Sequence, residues 1–187
     1  TVRHPITLAR KVMEESPHVF MMGDGAEAFA DTVGVERVDP SFFDTEHRRR
    51  SLDQVLEKQA RGAPAAPGDG EVYSTVGAVA LDRNGVLAAA TSTGGMSGKR
   101  WGRIGDSPVI GAGTWADARC GISCTGWGEQ YIRHGVARDI AAMHEYRGIP
   151  LRQAAEVVIH DTLDPGDGGM IGLSARGDIV MVYSTPG

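Results

Sequence analysis

The sequence lacks the features that mark several broad protein classes. Only two of its 187 residues are cysteine, Cys120 and Cys124. They lie in ADARCGISCTG, a segment that reads as a strand. Four residues along a strand span about 13 Å, whereas a disulfide needs Cα atoms within about 7 Å. A regular strand therefore leaves both as buried reduced thiols, and their spacing is not a zinc pattern. No apolar run reaches 18 residues, which excludes a transmembrane helix. There is no basic excess: the formal net charge is -5, the wrong sign for a nucleic-acid binder. The chain opens on Thr1 with no Met, basic region or apolar signal core, and its first residues read as domain interior. The expectation is a processed or truncated chain from a cytoplasmic protein. What remains, 41% hydrophobic and 23% charged residues, is a globular composition for one domain of ordinary size.

The local pattern predicts alternating blocks of helix and strand. Residues 5–15 carry apolar positions near a 3.6 period, with Pro5 suited to the first turn and Ser16-Pro17 as the stop. His18 to Met22 reads as a short buried strand, Gly23-Asp24-Gly25 as a turn and 26–32 as a short helix. Residues 40–60 read as a loop and then a charged helix whose Arg48-Arg49-Arg50 triplet forms a solvated face. Residues 61–72, RGAPAAPGDGEV, are a linker open to cleavage, with three Gly and two Pro. Beyond it, 75–82 and 86–93 form a hairpin around Arg83-Asn84-Gly85. Further strands are expected at 109–115 and 120–124, and helices at 131–147 and 151–163. Strands at 170–173 and 179–183 close the chain. This order implies a layered α+β fold.

Familiar catalytic signatures are absent. Gly94-Gly95-Met96-Ser97-Gly98-Lys99 resembles a phosphate loop only in part, because Thr93 takes the opening glycine's place and Arg100 follows the lysine. There is no G-x-G-x-x-G opening a helix, no G-x-S-x-G elbow and no H-E-x-x-H among the six histidines. Four other segments concentrate Gly, Thr and charge: TVGAVALD at 75–82, ATSTGG at 90–95, GRIGDSP at 102–108 and CTGWGE at 124–129.

In type, order and spacing these four segments resemble the plant-type asparaginase and isoaspartyl aminopeptidase family of N-terminal-threonine-nucleophile hydrolases. Ser-Pro-His-Val at 16–19 and the helix before it match the late part of that family's α subunit, so the resemblance covers nearly the whole chain. It implies a four-layer αββα sandwich, present here as an incomplete chain. It also implies self-cleavage between Ser74 and Thr75, giving an α chain (1–74) and a β chain (75–187) that together form one domain. Thr75 would then supply both the nucleophilic hydroxyl and, through its freed α-amine, the base that activates it. Such an amine has a pKa near 7.7–8.0 and is partly neutral at neutral pH. By the same resemblance Thr93 supports the nucleophile, and Thr125 with Gly126 forms the oxyanion hole. Arg103 anchors a substrate carboxylate and Asp106 its ammonium. Gly95 and Gly128 allow close backbone approach.

The implied activity is removal of N-terminal isoaspartyl residues from dipeptides together with hydrolysis of L-asparagine. The alternatives are a glycosylasparaginase-like hydrolase and an unprocessed, non-catalytic homologue acting as a binding module. A taspase-like endopeptidase fits less well, because Arg103 and Asp106 suit a free amino-acid head. No catalytic cofactor is implied, and no metal within this chain. A structural sodium ion belongs to the upstream part of the family's α subunit, and the implied assembly is a dimer of αβ units. Neither nucleic acid nor membrane is an expected partner. Two departures stand out. Ser74 occupies a position where the family often has Gly, and Trp127 is bulky for a residue lining the site.

Overall fold

The computed structural model describes residues 1–62 and 75–185. The chain divides into two compact units, Thr1–Pro64 and Ala65–Gly187. Ser74 and most of the predicted linker lie outside the described residues.

The first unit is helical. Helix α1 spans Pro5–Glu15 and stops at Ser16, whose hydroxyl donates to the Val12 carbonyl at 2.8 Å. Helix α2 spans Gly23–Thr32 and α3 spans Glu46–Ala60, after a single 3-10 turn at Pro40–Phe43. Two expectations are corrected here. Residues 18–22 form no strand, and Val19, Phe20 and Met22 are exposed. An apolar run becomes a strand only with a pairing partner, and among the described residues of this unit the one β pairing is the isolated bridge Val2–Arg37. The helix also begins at Gly23 rather than after the predicted turn. Asp24 falls in its first turn, where a carboxylate is favoured. The solvated face of α3 is as predicted: the helix buries no residue, Arg49 pairs with Asp44, and Arg50 pairs with Glu46 one turn back. A small core of Leu8, Ala30 and Val35 holds the unit. Beside it, Glu27 accepts from the Thr1 hydroxyl at 2.9 Å and pairs with Arg37 at 2.5 Å.

The second unit is a stack of two sheets and a helical layer. Strands β1 (Val76–Leu81) and β2 (Leu87–Ser92) form an antiparallel hairpin. At its turn the Asp82 carboxylate accepts from the Asn84 and Val86 amides, both at 2.8 Å, and Gly85 takes φ +82°. The second sheet has the order β3 (Thr114–Ala116), β4 (Cys120–Gly126), β5 (Gly168–Ser174), β6 (Ile179–Tyr183), all antiparallel. Between β4 and β5 the chain forms α4 (Gly128–His134), α5 (Val136–Arg147) and α6 (Leu151–Val157). Alternation divides β4 between two environments. Cys120, Ile122 and Cys124 point into a core shared with Ile140, Ala154, Val158 and Ile159 from the helical side. Gly121 and Ser123 point toward the hairpin, where a Cβ built on Gly121 would lie 3.1 Å from the Ala88 carbonyl oxygen. The expected α+β class is borne out.

Several boundaries differ from the sequence reading, each for a tertiary reason. The helix expected over 131–147 breaks at Gly135, which adopts φ +57°. Just beyond it, the Ala137 and Arg138 amides donate to the Ala112 and Gly111 carbonyls at 3.1 and 2.8 Å. The first-turn donors of α5 are thus satisfied by a neighbouring loop rather than by a longer helix. The helix expected over 151–163 loosens into a π turn at Val158–Thr162. Of the strand expected over 109–115, only Thr114 and Trp115 enter a strand, β3; Ile110 forms an isolated bridge with Thr114, and 109–113 turn so that the Val109 and Gly113 amides both reach the Asp106 carbonyl.

Both cysteines are buried and unbridged, as expected. Burial pushes the Cys120 thiol up to about 12 and Cys124 well above its ordinary range, which leaves them unreactive. Among the described residues no helix is long and apolar enough to cross a membrane. Ile122, fully buried between sheet and helices, tests the core. Replacing it with Ala is expected to lower unfolding free energy by about 2–5 kcal/mol, measured by chemical denaturation of the full-length protein.

Candidate active site

The predicted site residues fall at one end of the two-sheet stack, and strand register explains why. Gly77 and Thr91 are directly opposed in the hairpin, so extending the register by two residues opposes Thr75 and Thr93 on the same face. Their hydroxyl oxygens lie 3.2 Å apart. Thr93 Oγ1 also accepts from the Gly95 amide at 3.0 Å, which fixes the start of the following loop. Gly95 itself adopts φ +76°, a conformation that favours glycine, and the Lys99 ammonium donates to the adjacent Gly94 carbonyl at 2.7 Å.

On the facing sheet, Thr125 and Gly126 end β4. Thr125 Oγ1 is buried and has no hydrogen-bond partner among the described residues. A buried hydroxyl without a partner loses about 1–3 kcal/mol, so this atom is poised to accept or donate to something else. The backbone around it is tightly confined. A Cβ on Gly126 would run into the Asp167 carbonyl oxygen and come within 2.5 Å of the Tyr131 ring.

Arg103 and Asp106 come together, with a third charged group that the sequence reading did not assign. Glu129 accepts a two-pronged ion pair from Arg103, Nε to Oε1 at 2.8 Å and Nη2 to Oε2 at 2.7 Å. These hydrogen bonds hold the Glu129 carboxyl below its ordinary range. The signal for Glu129 was present in the sequence, as the acidic residue ending the CTGWGE segment, but only the fold brings it to Arg103. Gly128 makes room for both side chains: a Cβ there would lie 2.8 Å from Arg103 Nη2 and 3.0 Å from Asp106 Oδ1.

Asp106 is 6% exposed, and its Oδ2 has no partner among the described residues. Burial pushes its carboxyl up to about 6, nearby Arg103 draws it partly back, and Glu129 opposes that relief. A carboxylate in this position is short of positive charge, and a ligand ammonium would supply it. Each predicted site residue within the described range is thus placed. Thr75 pairs with Thr93, Arg103 lies beside Asp106 and Gly128, and Thr125 with Gly126 ends the strand opposite the hairpin.

Two antiparallel sheets stacked face to face with a helical layer on the four-stranded one, and the marked threonines at one strand end, form an α+β architecture consistent with the N-terminal-nucleophile hydrolase type. The chain belongs to the asparaginase family, whose profile matches residues 1–187. It is 46% identical to the isoaspartyl peptidase of Escherichia coli (strain K12), over all of this chain and 60% of that protein. It is 42% identical to the probable isoaspartyl peptidase/L-asparaginase 2 of Arabidopsis thaliana, over all of this chain and 64% of that one. Against the isoaspartyl peptidase/L-asparaginase of Mus musculus it is 41% identical, over 98% of this chain and 56% of that protein. The chain therefore spans about 60% of the length of the curated relatives it matches. The resemblance read from the four sequence segments is borne out at the level of the family.

Proposed function

We propose that this chain carries the nucleophile-bearing part of a self-processing amidohydrolase that removes isoaspartyl residues from dipeptides and hydrolyses L-asparagine. The observation that carries the reading is the 3.2 Å contact between the Thr75 and Thr93 hydroxyls, on the strand end facing the unpartnered Thr125 hydroxyl. The names of the relatives favour this reading over a glycosylasparaginase-like one.

In maturation, Thr75 Oγ1 attacks the Ser74 carbonyl carbon, the peptide bond passes to an ester, and water releases the α chain. The freed amine of Thr75 then serves as base. In turnover the amine takes the Thr75 hydroxyl proton as Oγ1 attacks the side-chain carbonyl carbon of the substrate. The Thr125 hydroxyl and the Gly126 N–H hold the oxyanion. The C–N bond breaks, and the departing ammonia or amino group takes the proton from the Thr75 ammonium. Water then attacks the aspartyl ester, the amine accepts its proton, and that proton returns to Thr75 Oγ1 as aspartate leaves. Thr93 keeps the attacking oxygen in register throughout.

Arg103 contributes a guanidinium for the substrate α-carboxylate, and Asp106 a carboxylate for the α-ammonium. Glu129, two-pronged on Arg103, fixes the plane of that guanidinium. The α and β chains remain associated, and two αβ units form the working assembly.

Intact mass spectrometry of the full-length protein tests maturation, alongside release of aspartate from an isoaspartyl dipeptide and from asparagine. Two polypeptides, one beginning at Thr75, with turnover of both substrates are expected. A persistent single chain without turnover would leave the binding-module alternative standing. Thr125→Ala is expected to lower kcat by about 100- to 1000-fold with a smaller change in KM, the signature of a lost oxyanion donor. Steady-state kinetics on the mature enzyme reads this directly.

A further inference from the structure

One pleat below the proposed catalytic threonines lies a second set of small and hydroxylic residues, reached by a two-residue step on each strand. Below Thr75 is Gly77, below Thr93 is Thr91, and below Thr125 is Ser123. Here the two sheets are tied by polar contacts. Thr91 Oγ1 lies 2.6 Å from Ser123 Oγ, 3.1 Å from Thr114 Oγ1 and 3.0 Å from the Gly113 carbonyl oxygen. A carbonyl can only accept, so the Thr91 proton goes to Gly113 and the Ser123 hydroxyl donates to Thr91.

Sterics keep position 77 without a side chain in this layer. A Cβ on Gly77 would collide with the Ser123 side chain. Ser123 is 4% exposed, so its hydroxyl needs a protein partner, and Thr91 is that partner. The chain of contacts also runs on to the substrate anchor. The Gly113 carbonyl that accepts from Thr91 also accepts from the Cys124 amide at 2.9 Å, and the Gly113 amide donates to the Asp106 carbonyl at 3.1 Å. One hydroxyl on the nucleophile hairpin is thereby bonded to the oxyanion strand and, through a single residue, to the Asp106 backbone.

We infer that Thr91 and Ser123 are positioning residues: their hydroxyl pair is the clamp that sets the separation between the Thr75–Thr93 hairpin and the Thr125–Gly126 strand. This inference rests on the proposed roles of those four residues. The need for a clamp follows from topology. Nucleophile and oxyanion donors sit on different sheets, so no backbone ladder fixes their distance. Gly77 and Gly121 let the two sheets approach closely here, with no side chain of their own to interlock them. Catalytic groups need placement to about 0.5 Å, and a displacement of about 1 Å can cost about 100-fold in rate.

The test uses full-length protein carrying Thr91→Val, Thr91→Ser or Ser123→Ala. Valine keeps the shape of Thr91 and removes the hydroxyl; serine keeps the hydroxyl. Thr91→Val and Ser123→Ala are expected to slow both self-cleavage and kcat by about 10- to 100-fold with KM within about threefold, while Thr91→Ser restores both rates. A folded Thr91→Val with wild-type kcat and cleavage rate overturns the clamp. So does equal loss in Thr91→Ser and Thr91→Val, which would mark a packing role.

Crystal structures of wild type and Thr91→Val read the clamp without any activity. A shift of residues 75 and 93 against 125 by about 0.5 Å or more is expected, and an unshifted pair overturns it. If the wild-type protein neither cleaves nor hydrolyses, the proposed function fails, and the crystallographic comparison still decides the clamp.

Discussion

Thr75→Ala in the full-length protein is expected to give a single uncleaved polypeptide with turnover at least about 10,000-fold below wild type. One substitution should have both effects because one oxygen performs both reactions, first on the Ser74 carbonyl and then on the substrate. Its loss should barely disturb folding. The only hydrogen bond to the Thr75 side chain seen among the described residues is the 3.2 Å contact with Thr93, and that contact is exposed. Surface changes of this kind usually stay within about 0.5 kcal/mol. Thr75→Ser keeps the oxygen and should cleave and turn over at a reduced rate, because the lost methyl helped hold the hydroxyl rotamer. Intact mass and aspartate release, with thermal unfolding as the folding control, measure all three. Normal cleavage of Thr75→Ala would remove Thr75 from the centre of the chemistry.

Asp106→Asn is expected to move stability and activity in opposite directions. The folded protein holds this carboxyl near about 6, against an ordinary value of 3.8. Well below pH 3.8 the group is protonated in folded and unfolded protein alike, and it costs nothing. As pH rises from about 4 to about 6 the unfolded chain ionises this carboxyl while burial keeps it protonated in the folded state, so stability is lost across that window and levels off above it. A rise of that size corresponds to about 3 kcal/mol once ionisation is complete. Asn cannot ionise. The variant should therefore be more stable than wild type at pH 8 by up to about 3 kcal/mol, with the difference closing toward pH 4. Its substrate affinity should fall by about 100-fold, because the ammonium loses its carboxylate. In the wild-type enzyme kcat/KM should fall below about pH 8, approaching tenfold per pH unit, as the Thr75 amine protonates, and the fall should steepen below about pH 6 as Asp106 protonates as well. Denaturation of both proteins at pH 4, 6 and 8 decides the stability claim. A stability difference that does not change with pH would show that Asp106 is not held protonated by burial.

Much of this was legible in the order of residues. The Asn84-Gly85 hairpin, the strands at 120–124 and 179–183 and the period of α1 are local properties, written in a few consecutive side chains. The misreadings share one cause, which is that tertiary partners decided them. His18 to Met22 had strand composition, but among the described residues of its unit no strand pairs with it. Gly135 fell inside the helix expected over 131–147, and the helix breaks there because the 111–112 loop supplies acceptors for the amides that follow it. Residues 109–113 had strand-like apolar content, yet the Val109 and Gly113 amides turn toward the Asp106 carbonyl.

The site divides in the same way. By itself the sequence determined which chemical groups exist and on which strand ends they lie: a threonine after a linker, a second threonine at the hairpin's far end, and an Arg, an Asp and a Thr-Gly pair farther on. It also carried the family, because four ordered segments do not recur together by chance. Only the tertiary structure decided what those groups feel. Glu129 becomes the partner of Arg103, Asp106 is buried until its carboxyl resists ionisation, and Thr91 meets Ser123 across two sheets. Burial and cross-sheet distance depend on how the layers stack, and spacing along a chain holds no record of that.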